Sequence, residues 1–206
     1  MDYKILKRFC DLVFSLLLII FLIPLFLFIG IIIKIDSKGA IFYIQKRIGS
    51  NNKNFSCYKF RTMKPESKYL LKKFLIKNPN FKNEFVKTRK IKNDPRITNI
   101  GKFLRFSSLD ELPQIINVLK GEMSFIGPRP IVKSEIKKYG DDFEKAFLIK
   151  PGISGLWQVS GRNKLSYEKR VELDIFYSEN ISFRLDIKIF IKTLMVLILP
   201  FDKGAF

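Results

Sequence analysis

Two adjacent carboxylates, Asp110 and Glu111, stand in the run RFSSLDELPQIINVLKGEMSFIGPRP, which reaches from Arg105 to Pro130. Acids placed among basic residues can supply a nucleophile or hold a hard, oxygen-bound cation. Pro113 is tolerated where its missing N–H would be unpaired anyway, so a short helix is predicted to start there, with Asp110 and Glu111 at its N-terminal edge. Lys120 and Gly121 form the expected stop, a cation in the last turn followed by a residue that accepts positive φ. The N-terminus of such a helix carries roughly half a positive charge, which favours ionised carboxylates and attracts phosphate oxygens. Downstream, Arg129 is held extended between Pro128 and Pro130 and loses little entropy on gripping an anion. A structural reading competes, because Ser108 and Glu111 also fit the S-x-x-E capping box. Spacing alone leaves both readings open.

The positioning elements come next. AIFYIQKRIG (40–49) and NFSCYKFRT (54–62) are β-branched and aromatic runs joined by Ser-Asn-Asn-Lys, a predicted hairpin. Period two puts Phe55, Cys57, Lys59 and Arg61 on one face, where Lys59 and Arg61 can hold a phosphate or act as solvated edge-strand cations. Residues 64–92 read as basic helix carrying Leu70, Leu71, Phe74 and Leu75, broken at Asn78-Pro79 and resuming with Phe81, Phe85 and Val86. Asn93-Asp94-Pro95-Arg96 is a turn. In KPGISGLWQVSGRN (150–163), Gly152, Gly155 and Gly161 make a loop able to approach a ligand closely. Trp157 and Arg162 offer that ligand stacking and phosphate contact, with Trp157 as a core residue the competing reading. Ser166 is predicted to cap a helix around Glu168 to Asp174. A last helix from about Ser182 to Leu199 carries Arg184, Lys188 and Lys192 at spacing four, the profile of an interfacial helix.

With 206 residues, one domain is expected; 38 basic against 19 acidic residues give a charge of +19, which calls for an anionic partner, nucleic acid or an anionic membrane. No helix-turn-helix, zinc or RNP pattern accompanies the charge, so no nucleic acid is expected. The apolar run from Leu12 to Ile33, LVFSLLLIIFLIPLFLFIGIII, is long enough to span a bilayer. It is too long for a cleaved signal peptide, and KIDSKGA offers no small-x-small site. Lys4, Lys7 and Arg8 precede it and Lys34, Lys38, Lys46 and Arg47 follow, so neither flank is favoured by charge. Pro24 deletes a helical hydrogen bond and bends the run. Both features favour a helix that enters one leaflet, turns at Pro24 and leaves on the same side. Cys10 and Cys57 suggest no disulfide framework, in keeping with a cytoplasmic face.

The run SSLDELPQIINVLKGEMSFIGPRP resembles the signature of bacterial sugar transferases, the monotopic polyprenyl-phosphate phosphoglycosyl transferases. The likeness extends through YKFRTM (58–63), NDPRITNIGKFLR (93–105), KPGISGLWQVSGRN and the apolar N-terminus, nearly the whole chain. It implies transfer of a sugar 1-phosphate from a UDP-sugar to undecaprenyl phosphate, with Asp110 as nucleophile, Glu111 holding Mg²⁺ beside Asp110, and Lys59, Arg105 and Arg129 around the phosphates. It also implies a re-entrant membrane hairpin, although related enzymes often have serine where Ile23 precedes Pro24. The long 64–92 segment and the ending FDKGAF resemble the branch that transfers galactose or glucose 1-phosphate, with galactose expected first and N-acetylated donors as the alternative. The expected fold is α+β: an anchor over residues 1–36, then a mostly helical cytoplasmic catalytic domain over 37–206 with a small β-hairpin and interfacial helices. Expected partners are the UDP-sugar, undecaprenyl phosphate and anionic lipids of the inner membrane, and a homodimer is compatible. A non-catalytic membrane scaffold and a basic nucleic-acid-binding module are the rivals from other classes.

Overall fold

The computed structural model describes residues 3–88, 91 and 93–198. Helix α1 (Tyr3–Asp36) is followed by an antiparallel hairpin of β1 (Phe42–Ile48) and β2 (Asn54–Phe60). Then come α2 (Ser67–Lys77), α3 (Asn80–Thr88), α4 (Asn99–Ser107), a 3₁₀ turn over Leu109–Gln114, and α5 (Ile115–Lys120). Strand β3 (Ser124–Ile126) precedes the short helices α6 (Ile136–Tyr139) and α7 (Phe143–Ala146). Strand β4 (Gly152–Ser154), α8 (Leu156–Val159), α9 (Tyr167–Glu179) and α10 (Phe183–Ile198) complete the chain as described. The architecture is α+β and mostly helical, as expected. The parallel pairing of β3 with β4 has no counterpart in the sequence reading; at three residues each, the strands are too short to show period-two alternation. FDKGAF lies outside the described residues.

The two arms expected on either side of Pro24 belong to one unbroken helix of 34 residues. It is long and apolar enough to cross a membrane, and most of its apolar stretch is exposed. Phe14, Leu17, Ile20, Phe21, Leu27 and Phe28 all face outward. Its two ends behave differently from its middle. Near the N-terminus, Lys7 pairs with Asp186 of α10 at 2.5 Å, and Arg8 donates to the carbonyls of Val118 and Leu119 at the end of α5. Towards the C-terminus, Ile29 and Ile33 are buried in one cluster with Phe60 of β2 and Leu104 of α4.

Asn117, completely buried, fastens α5 to the hairpin: its side chain accepts from the Tyr58 N–H and donates to the Ser56 carbonyl and the Glu122 carboxylate. A buried amide with its groups satisfied fixes register more sharply than an apolar contact of the same size. Gly101 performs a related task, since a Cβ there would lie 2.1 Å from the Thr62 carbonyl oxygen. Only glycine lets the segment after β2 lie so close to α4.

Candidate active site

Asp110 and Glu111 lie in the 3₁₀ turn between α4 and α5, not at the head of an α-helix. The α-helical geometry begins at Ile115, and Pro113 sits inside the tighter turn. The capping box does not form: Ser108 adopts a left-handed conformation (φ 59°) and its side chain caps nothing. Glu111 instead reaches Lys59 Nζ at 2.5 Å and lies 3.5 Å from the Arg129 guanidinium. The predicted stop holds, with Gly121 at φ 79°. Among the described residues Asp110 makes no ion pair or side-chain hydrogen bond; Lys59, Arg105 and Arg129 act on it through their charges alone.

The neighbours therefore differ electrostatically. Burial pushes the Asp110 carboxyl up, the Glu111 charge adds to that, and Lys59, Arg105 and Arg129 only partly offset them, leaving it at about 6. Burial acts on Glu111 in the same direction, but Lys59 and then Arg129 outweigh it and bring the carboxyl down to about 2. One acid is a locked counter-ion. The other is ionised at neutral pH yet has no partner, the state a carboxylate nucleophile needs.

Each cation is held in place by a different element. Lys59 leaves β2 on the same face as Phe55 and Cys57, as period two predicted. Arg105, in the last turn of α4, donates through Nε to Thr62 Oγ1 at 2.9 Å. Arg129 is positioned by backbone: Gly127 N–H donates to the Ser154 carbonyl and Gly152 N–H donates to the Pro128 carbonyl, while the Arg129 charge acts on the buried Asp174 carboxyl. The glycines at 152 and 155 thus serve chain-on-chain contact, since Cβ atoms there would lie 2.1 and 2.4 Å from Gly127 backbone atoms. The ligand-approach role expected for them is taken up by this packing.

Arg61 is not brought to the carboxylates. It lies past the end of β2, where the strand's alternation no longer applies, and its guanidinium donates to the carbonyls of Ser37 and Lys38 and to Ser37 Oγ. Arg162 is held in the loop before α9, donating to the Gln158 carbonyl. Trp157 is half-buried under the Arg170 guanidinium, 4.9 Å from its ring, a packing contact within the chain. With Arg47, Arg129, Tyr139 and Tyr167 it lines a small cavity of about 70 Å³ beside the site. Ser166 caps α9 as predicted, accepting from Lys169 N–H.

Two contributors escaped the sequence reading. Arg47 donates to the Pro130 carbonyl at 2.9 Å and its charge reaches Glu111. The register could have shown it, because the pairs Tyr43–Lys59, Gln45–Cys57 and Arg47–Phe55 put Arg47 on the Lys59 face. Asp174 is fully buried, bonded to Tyr139 Oη at 2.8 Å, and carries a carboxyl pushed by burial to about 7. No local pattern marks it apart from other acids of α9.

Fold and site together define an α+β protein with one long apolar helix and paired carboxylates ringed by cations, an arrangement suited to phosphoryl substrates. The chain belongs to the bacterial sugar transferase family, whose model matches residues 2–200. Among its relatives, an uncharacterized sugar transferase of Haemophilus influenzae is 48% identical over 95% of this chain, and the undecaprenyl-phosphate galactose phosphotransferase of Salmonella typhimurium 46% identical over 95%. The chain spans 41% of the length of each. It covers 88% of the exopolysaccharide production protein ExoY of Sinorhizobium fredii, 44% identical over 97% of this chain.

Proposed function

We propose that this chain transfers hexose 1-phosphate, galactose 1-phosphate first, from a UDP-sugar to undecaprenyl phosphate, giving undecaprenyl-diphospho-hexose and UMP and so initiating a surface polysaccharide. The observation that carries the proposal is the division of labour between Asp110 and Glu111. An Asp110 oxygen attacks the β-phosphorus, the bond from that phosphorus to the bridging oxygen breaks, and UMP leaves with the electron pair. The lipid phosphate then attacks the same phosphorus and releases Asp110. Lys59, Arg105 and Arg129 stabilise the charge that builds on the phosphoryl oxygens. Galactose is favoured over glucose because the relatives from Salmonella typhimurium and Erwinia amylovora, named for galactose, are 46% and 45% identical, whereas the glucose-1-phosphate transferase of Escherichia coli is 38% identical.

No cluster of three metal-ligating side chains occurs among the described residues. Mg²⁺ does not need one, since it keeps several waters and uses one or two carboxylates together with substrate phosphates. Glu111 and Asp110 fit that donor set, and the ion would neutralise the diphosphate of the departing nucleotide.

We read the membrane topology from the contacts α1 makes at its two ends. A straight span of 34 residues is about 51 Å long and would set its ends on opposite sides of a hydrocarbon core about 30 Å thick. Both ends of α1 instead rest on the same folded body, at Val118, Leu119 and Asp186 and again at Phe60 and Leu104. That supports entry into and exit from a single leaflet, with Pro24 as the bend, and a catalytic domain on the cytoplasmic face of the inner membrane, bound through anionic lipids.

Rapid-quench measurement with labelled UDP-galactose tests the reaction. A burst of one UMP per enzyme without acceptor, and a hexose-phosphate adduct on Asp110, are expected; Asp110→Asn abolishes both, and Glu111→Gln slows turnover and weakens Mg²⁺ dependence. An adduct on another residue, or no UMP until both substrates are present, refutes the two-step scheme.

A further inference from the structure

A second basic cavity lies at the opposite end of α5 from the carboxylates. It has a volume of about 290 Å³, and Lys4, Lys7, Arg8, Asp11, Lys150 and Leu148 are among its lining residues. Lys7 is neutralised by Asp186 and Arg8 is satisfied only by the carbonyls of Val118 and Leu119. Lys150 Nζ and the Arg8 guanidinium converge over Gly121, both within 3.4 Å of where a Cβ would stand. Among the described residues Lys150 has no hydrogen bond or ion pair, and its ammonium is disfavoured by partial burial and then by the Arg8 charge. With Lys4 left out of the count, Lys7, Arg8 and Lys150 outnumber Asp11 and Asp186 by one positive charge in a partly desolvated recess, the charge a phosphodiester headgroup would balance near neutral pH.

The surroundings are amphiphilic. Leu148 on the rim is 65% exposed, and Ile5 and Phe9 are exposed on the adjoining turns of α1, just before its apolar run begins. Recess and apolar surface therefore meet at the level where a helix entering a leaflet passes the headgroups.

We propose that this cavity binds a phosphate group, presented by the headgroup of a membrane phospholipid, as a site separate from the carboxylate pair. Asp110 and the cavity lie at opposite ends of the 3₁₀ turn and α5, and the cavity lining shares no residue with the carboxylates and the cations around them, so a phosphate held there is not the one that reacts. The site does not rest on the transfer chemistry. It would fix the depth and tilt of the chain at the membrane by engaging the joint between α1 and α5.

The test is native mass spectrometry of the full chain released from detergent and titrated with phosphatidylglycerol, with diacylglycerol of the same acyl chains, and with inorganic phosphate. One phosphatidylglycerol should be retained and no diacylglycerol. Lys150→Gln should lower that occupancy about tenfold, as expected for one charge-assisted hydrogen bond, and Lys102→Gln on exposed α4 surface should not. Leu148→Glu, at a position exposed enough to leave folding intact, should lower it as well. Retention of inorganic phosphate with the same Lys150 dependence, without phospholipid retention, would keep the phosphate site and refute the lipid as its source. Phosphatidylglycerol retention equal in all variants, or no response of either probe to Lys150→Gln, would overturn the proposal.

Discussion

Replacing Lys59 by methionine removes the strongest attraction acting on both carboxylates, Asp110 and Glu111, while keeping the length of the side chain. An opposite charge within about 4–6 Å lowers a carboxyl pKa by roughly 1–3 units. Because the Lys59 and Glu111 side chains remain 16% and 20% exposed, the lower end applies, about one unit or about 1.4 kcal/mol. Asp110 should then move from about 6 to about 7, and its ionised fraction at neutral pH from about nine-tenths to about half. Glu111 rises as well, but Arg129 keeps it ionised near neutrality, so its repulsion on Asp110 persists. The acidic limb of kcat/KM for UMP release from UDP-galactose should shift about one unit alkaline, on top of a pH-independent loss from the missing phosphate contact. Lys59→Arg should restore the limb. A lowered plateau with an unmoved limb would mean that Lys59 only binds phosphate, and the electrostatic argument would be refuted.

Arg61→Met should leave that pH profile unchanged and lower the melting temperature, since it removes a charged donor from the Ser37 and Lys38 carbonyls, a loss of about 1.5–3 kcal/mol; a shifted limb would return Arg61 to the site. Asp174, held by burial at about 7 against an ordinary 3.8, binds its proton more tightly in the folded chain, so its contribution is fully present below about pH 4 and is lost as pH rises through about 7, by roughly 4 kcal/mol at most. Asp174→Asn should flatten that fall in thermal melts across the window, and an identical slope in the variant would exclude Asp174 as its source.

What the sequence made legible was local. Lys59 followed from strand alternation, Gly121 from its helix stop and Ser166 from its cap, each decided within a few residues. The reading of Arg61 failed one residue past the strand, where period two has no force and the nearest acceptors are carbonyls at the exit of α1. The helical start at Pro113 failed because proline is equally at home in a 3₁₀ turn, and the partner that draws Glu111 away from Ser108 lies 52 residues upstream. Arg47 and Asp174 were silent because their roles exist only once β1, the GPRP segment and α9 are assembled. The resemblance located Asp110 and Glu111, but the difference between them is a property of the fold.

That fold makes the long apolar helix part of what positions the two carboxylates. Asp110 and Glu111 lie between α4 and α5, and α1 braces both: its first turns hold the end of α5 through Arg8, and its last turns bury Ile29 and Ile33 against Leu104 of α4 and Phe60 of β2, the strand that carries Lys59. Phe60 and Leu104 are each 1% exposed in the intact chain. Uncovering these two large apolar side chains costs roughly 1.5–3 kcal/mol each, together a large share of the stability of an ordinary domain, about 5–15 kcal/mol. A fragment beginning at Ser37 should therefore lack a cooperative melt and release no burst of UMP, in detergent as well as in buffer, because what it loses is the floor beneath the carboxylates. The comparison is the full chain in the same detergent, read by differential scanning calorimetry and by rapid quench. A fragment that melts cooperatively and gives a full burst would show that α1 only tethers the domain, and that the contacts at its two ends carry no weight in placing Asp110.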